Sequence, residues 1–329
     1  MWEALGHCGA KDACIMTQIE DTSRDHRVDP DSFAGGYFRN AVYRHWDPYE
    51  DVSGELLEAD RRKLIESDMD EAEFDSLRGT LALFGAGEEA VTEDLAPLAI
   101  VLEDSNDQLF ISSQLYEEAK HTQFFDRYWR EVIDPAAEER GFEVTQPTDQ
   151  RYFNDDYIAL FEKNEAAMER LLTEDTPETR AQAYCHYHLA VESVLAQTGY
   201  YGLQASFSPT GPEMNDGSEF VHLEGLIEGI TYIRSDEGRH VGFGMQKVRD
   251  LIQSGDVDPD VVQATLQELM GHVAGAVQSD EMTIEAAPLV EYAQEKIARR
   301  IEILTEAEAE LPPVEELVEI EGTDDAAAD

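Results

Sequence analysis

Three times in this chain a glutamate stands three residues before a histidine: Glu118 and His121 in YEEAKH, Glu219 and His222, and Glu237 and His240 in SDEGRH. On a helix such residues share a face, so each pair can present a carboxylate oxygen and an imidazole nitrogen to one point. That is how a helix offers a metal ion two ligands. With 42 glutamates and nine histidines among 329 residues, about one such pair arises by chance, so a single pair says little. A two-metal carboxylate centre in a helical bundle needs more: a Glu from each of two helices and a Glu-x-x-His from each of two others. The single glutamates can come from FGAGEEAVTEDLAPL, which offers Glu88 or Glu89, and from YHLAVESVLAQTGYY, which offers Glu192 among apolar neighbours. An unpaired carboxylate there would be costly to bury. Glu219 and His222 are a decoy, because the 18 positions to Glu237 amount to about 27 Å on one helix.

Carboxylates are hard ligands and imidazole is intermediate, so four Glu and two His suit manganese or iron, while the lack of a nearby thiolate argues against zinc or an iron–sulfur cluster. Four ionised carboxylates balance two divalent cations, which makes their burial tolerable. A redox-active pair of such ions can pass two or more electrons to dioxygen. Asp236, beside Glu237, is a candidate acceptor for the outer N–H of a ligand histidine, fixing its tautomer.

These residues need helices to carry them, and the chain reads as helix after helix. Apolar spacing and Pro or Gly punctuation predict an all-α bundle with helices near 70–103, 106–140, 155–173, 177–207, 219–254, 258–280 and 284–310. DPAAEERGFEV ends a helix at Gly141, and SPTGPEMNDGS (208–218) is a loop by its turn residues. Residues 1–32 read as a polar extension, of which 1–15 precede an alternative start at Met16; 33–310 form one helical domain; 311–329, acidic with no basic residue, read as a disordered tail. Cys8, Cys14 and Cys185 give no disulfide framework.

Composition bounds the partners. With 24 Lys plus Arg against 72 Asp plus Glu, the net charge is −48, which excludes nucleic acids and anionic membranes by repulsion. Acids are spread along the whole chain, as on the carboxylate-coated surfaces of proteins from salty cytoplasm, where molar salt shortens the Debye length to about 3 Å. No run of 18 apolar residues and no signal-peptide core occurs, so a cytoplasmic protein without a membrane span is expected.

GAGEEAVTEDLAPL, YEEAKH, YHLAVE and SDEGRH, in that order, with FAGG and WDP near the front, resemble the ribonucleotide-reductase-small-subunit-like ligand-binding oxidases over about residues 33–305. The resemblance implies a ferritin-like homodimer in which Glu88, Glu118, His121, Glu192, Glu237 and His240 ligate manganese and iron, with di-iron as a variant. It further implies dioxygen activation beside a bound long-chain fatty acid, and an ether crosslink between Val91 and Tyr187. The interval from the first Glu to the first Glu-x-x-His is short for the family, and 208–218 stands as an insertion. The alternative within the same fold is a true reductase small subunit, which usually carries an oxidisable tyrosine one turn after the first ligand His and an aromatic relay in its tail. Here position 125 is Phe, as in the mixed-metal type of that subunit, and no Tyr or Trp follows Leu311. A metal store or a di-iron hydroxylase are the remaining readings.

Overall fold

The computed structural model describes residues 27–210, 221–277, 286–306 and 311–320. Among them every regular element is a helix: α1 Phe33–Tyr43, α2 Gly54–Glu66, α3 Glu71–Asp94, α4 Ala96–Val101, α5 Ser105–Tyr128, α6 Asp134–Arg140, α7 Asp155–Arg170, α8 Pro177–Tyr184, α9 Gln197–Phe207, α10 Glu224–Gln253, α11 Pro259–Ala276, α12 Ala286–Thr305 and α13 Val314–Leu317. A π-helical turn, Trp129–Ile133, runs between α5 and α6, and a longer π segment, Cys185–Ala196, joins α8 to α9.

The abundance of acids has a local use. Asp70 caps α3 in a capping box with Glu73, and Asp104, Asn154 and Asp258 accept from first-turn N–H groups of α5, α7 and α11. Each such cap satisfies donors that a helix start leaves bare. Gly141, at φ 72° and ψ 24°, closes α6 in the left-handed conformation, as its position predicts.

Four elements make the central bundle. Helix α3 packs along α5, and the π segment packs along α10. Two apolar clusters flank them. One gathers Val91, Tyr187, Phe243 and Leu266 with residues of α12, the other Trp46, Leu57, Phe84, Phe124 and Ile230.

Three expectations change. The helix expected over 70–103 breaks after Asp94, because Pro97 has no N–H to continue the ladder and starts α4 instead. The helix expected over 177–207 is π-helical in its middle. Residues 311–320 are not a loose acidic tail: Leu317 and Ile320 are buried, Arg300 Nη2 donates to Leu317 O at 2.7 Å, and Arg234 donates to Val318 O. Composition missed this because a few apolar residues and free carbonyls suffice to dock a short segment. Residues 1–26, 211–220 and 321–329 lie outside the described residues, and with them most of the N-terminal extension (1–32) and of the insertion (208–218), Glu219, Cys8 and Cys14, and the end of the tail.

Candidate metal centre

Glu88 comes from α3, Glu118 and His121 from α5, Glu192 from the π segment, and Glu237 and His240 from α10; all six are buried. Glu89 is exposed, which resolves the choice the sequence leaves open. His222 is exposed and precedes α10, while Glu219 lies outside the described residues.

Donor atoms of Glu88, Glu118, His121 and Glu237 form one compact group, and those of Glu118, Glu192 and His240 a second. His121 Nδ1 lies 3.3 Å from Glu88 Oε2, 3.2 Å from Glu118 Oε2 and 3.6 Å from Glu237 Oε1. His240 Nδ1 lies 3.1 Å from Glu118 Oε1 and 3.6 Å from both Glu192 Oε1 and Glu237 Oε2. Glu118 and Glu237 therefore each turn one oxygen to one imidazole and the other oxygen to the second. Donors bound at about 2.1 Å around an octahedral ion lie about 3 Å apart along each edge, so these spacings suit two ions bridged by two carboxylates.

The residues fit such ions chemically as well. His240 Nδ1, Glu192 Oε2 and Glu237 Oε2 are buried with no hydrogen-bond partner, a costly arrangement for protein atoms alone. Burial pushes the Glu88 carboxyl up to about 8 despite His121, and raises Glu192 and Glu237 despite His240. At Glu118 burial acts the same way, but the two imidazoles outweigh it and hold this carboxyl well below its usual range. Both imidazoles are driven up by the surrounding carboxylates against burial. Without cations, the cluster must share protons to exist.

Around it runs a neutralised shell. His121 Nε2 faces Asp236 Oδ2 at 3.2 Å, and His240 Nε2 faces Glu117 Oε2 at 2.8 Å. Each acid thus serves the histidine of the other helix. Arg239 donates to both Glu117 and Asp236, Lys120 Nζ lies 3.0 Å from Asp236 Oδ2, and Trp46 Nε1 donates to Asp236 Oδ2 at 2.8 Å. Two outer acids meet two buried cations, which leaves the four inner carboxylates for two divalent ions. Glu117, Lys120 and Arg239 went unread in the sequence. The signal was there: YEEAKH and SDEGRH share acid–Glu–x–base–His, two matching half-sites.

Tyr187 is fully buried, and its hydroxyl donates to Glu118 Oε1 at 3.1 Å. The spacing of five from Glu192 is wrong for an α-helix, where it turns the side chains about 140° apart. The π segment, with hydrogen bonds closing over five residues, brings them toward one face. Val91 lines an apolar cavity of about 90 Å³ whose wall includes Leu83, Phe84, Phe161, Val191, Leu195 and Leu289 and whose polar floor is Glu88, Glu118, Glu192 and Glu237. Tyr200 donates to Glu88 Oε1 at 3.3 Å. Phe125, where a reductase subunit usually has its tyrosine, stacks on Phe84 at 5.3 Å.

Bundle and cluster together define a ferritin-like protein with a paired carboxylate–imidazole centre. No family model matches the chain. Among solved structures it is similar to R2-like ligand-binding oxidases. One variant with an aerobically reconstituted Mn/Fe cofactor superimposes at TM-score 0.70 with 26% identity, one with an anaerobically reconstituted Mn/Fe cofactor at 0.69 with 27%, and one with an aerobically reconstituted Fe/Fe cofactor at 0.69 with 25%. Each match covers 84% of this chain and 94% of the other. No described helix is long and apolar enough to cross a membrane.

Proposed function

We propose that this chain is a di-metal oxidase in which Glu88, Glu118, His121, Glu192, Glu237 and His240 hold manganese and iron, one of each, with di-iron as an alternative loading. It activates dioxygen beside a bound long-chain fatty-acid-like ligand and joins Tyr187 to Val91 by an ether. The observation that carries the reading is the division of the Glu118 and Glu237 oxygens between two imidazoles. When bound, the ions supply electrons to dioxygen. The chain does the rest: Asp236 and Glu117 hold each imidazole with Nδ1 turned inward, and Arg239 and Lys120 neutralise those two acids. The apolar cavity walls suit an alkyl chain, whose acidic head the bound ions would hold against the four glutamates.

For the crosslink, the Tyr187 hydroxyl donates to Glu118 Oε1, which fixes the direction of the phenol. The new bond joins the phenol oxygen to Val91 Cβ; one hydrogen leaves each partner, and dioxygen accepts both with their electrons. Loading the apo protein with Mn(II) and Fe(II) and exposing it to air should lower the chain mass by two hydrogens and give a branched peptide joining the two segments. Anaerobic samples and Tyr187→Phe should lack it. Separable Val91 and Tyr187 peptides from a metal-loaded, air-exposed sample would count against this step. Extraction should release a fatty-acid-like molecule, and the reading makes the protein a cytoplasmic homodimer, checked by light scattering.

A reductase small subunit is the second reading, supported by the shared metal set and by Phe125. Against it stands the docking of residues 311–320 on the protein's own α10 and α12.

A further inference from the structure

We propose that Gln114, oriented by His188, is the positioning residue for the His240 side of the centre, its amide holding Glu192 in a fixed relation to Glu118. The inference rests on the di-metal reading above. Gln114 lies one turn before Glu118 on α5 and is fully buried. Its Nε2 donates to Glu192 Oε1 at 2.8 Å and lies 3.5 Å from Glu118 Oε1, so the two N–H groups of one amide reach the terminal and the bridging carboxylate together.

The amide cannot turn over. Its Oε1 lies 3.2 Å from His188 Nε2, and a flip would aim that oxygen at two carboxylates. The pairing also sets the imidazole. His188 Nδ1 has no partner, and a bare lone pair is more easily tolerated in a buried place than a bare N–H, so the proton belongs on Nε2, where it is donated to Gln114. The ring is held by Tyr187 at 4.7 Å, Tyr184 at 5.5 Å and Phe243 at 5.9 Å. Gly244 of α10 admits it, since any Cβ there would collide with the His188 side chain.

The two sides of the centre differ in this respect. Glu88, the terminal carboxylate beside His121, accepts from the Tyr200 phenol at 3.3 Å, whereas Glu192 is held by a neutral amide tied to a second element. A neutral donor orders these carboxylates without altering the charge that balances the ions; an acid at 114 would add a third like charge.

The test titrates Mn(II) alone into the full-length apo protein, reading free Mn(II) by its paramagnetic resonance, in His121→Ala and His240→Ala backgrounds that isolate each side. Gln114→Leu, similar in volume, should weaken binding on the His240 side by about 10–100-fold and leave the His121 side unchanged. His188→Phe should reproduce the loss, His188→Gln, which keeps an N–H donor, should restore binding, and the double variant should lose no more than either single one, because the two residues act in series. Apo melting curves report on folding, and if Gln114→Leu does not fold, the His188 pair carries the test. Parental binding in both Gln114→Leu and His188→Phe, or losses that add, would overturn the proposal while the di-metal reading stands. Absence of metal binding in the unmutated protein would overturn both.

Discussion

In the proposed di-metal reading, Glu117 and Asp236 act without touching the ions: they face the Nε2 atoms of His240 and His121 and so fix which nitrogen each histidine turns inward. Glu117→Gln keeps the shape but removes the charge facing His240 and Arg239, and should weaken metal binding on the His240 side by about 10–100-fold, as equilibrium dialysis against Mn(II) would measure. Elsewhere, Asp60 gives a pH signature unconnected with the centre. Burial pushes its carboxyl up to about 6, although Leu226 N and the Tyr128 hydroxyl donate to it. The folded state therefore keeps a proton that the unfolded chain releases near its ordinary value of 3.8. The stability this contributes is full below that value and is lost as pH rises through about 6, a change of about 3 kcal/mol. Asp60→Asn should flatten this window in denaturant titrations at successive pH values; an unchanged profile would remove Asp60 as its source. At this scale the inner residues were legible, since the doubled Glu-x-x-His and two glutamates among helical neighbours pointed to them. The choice between Glu88 and Glu89 came only from the family resemblance and not from periodicity, because neighbouring residues 100° apart on a helix are separated only by what packs on each face.

The elements show where periodicity fails. Apolar spacing places the helices but cannot separate α from π registers, and the five-residue interval from Tyr187 to Glu192 makes sense only in the second. Acidic composition likewise hid the docking of 311–320. The docked segment depends on Gly238, between Glu237 and Arg239, where a Cβ would come within 2.6 Å of Val314 O. Gly238→Ala should destabilise the protein by about 1–3 kcal/mol through this overlap, whereas Gly36→Ala on α1, with open space at that point, should be neutral or stabilising by up to about 1 kcal/mol. Thermal melts of the two variants decide it, and equal behaviour would mean that the segment does not sit on α10 in solution.

Across the whole molecule, 72 acidic side chains against 24 basic ones set a repulsion that described surface ion pairs such as Lys163 with Glu268 cannot cancel. At 0.1 M salt the Debye length is about 10 Å, long enough for neighbouring carboxylates to repel; at molar salt it is about 3 Å. Thermal stability should rise markedly from 0.1 to 3 M KCl, and a flat profile would contradict the reading of the surface as adapted to salt. The same excess of acid explains why the centre had to be found by pattern and burial rather than by charge: four carboxylates are inconspicuous among 72 until the fold gathers them in one place beside two imidazoles. If this gathering holds two ions, the metal content of the purified protein after loading with Mn(II) and Fe(II), compared with His121→Ala and His240→Ala, will show it. Two metals per chain are expected in the unmutated protein and one in each variant. Two metals retained in both variants, or none in the unmutated chain, would contradict this.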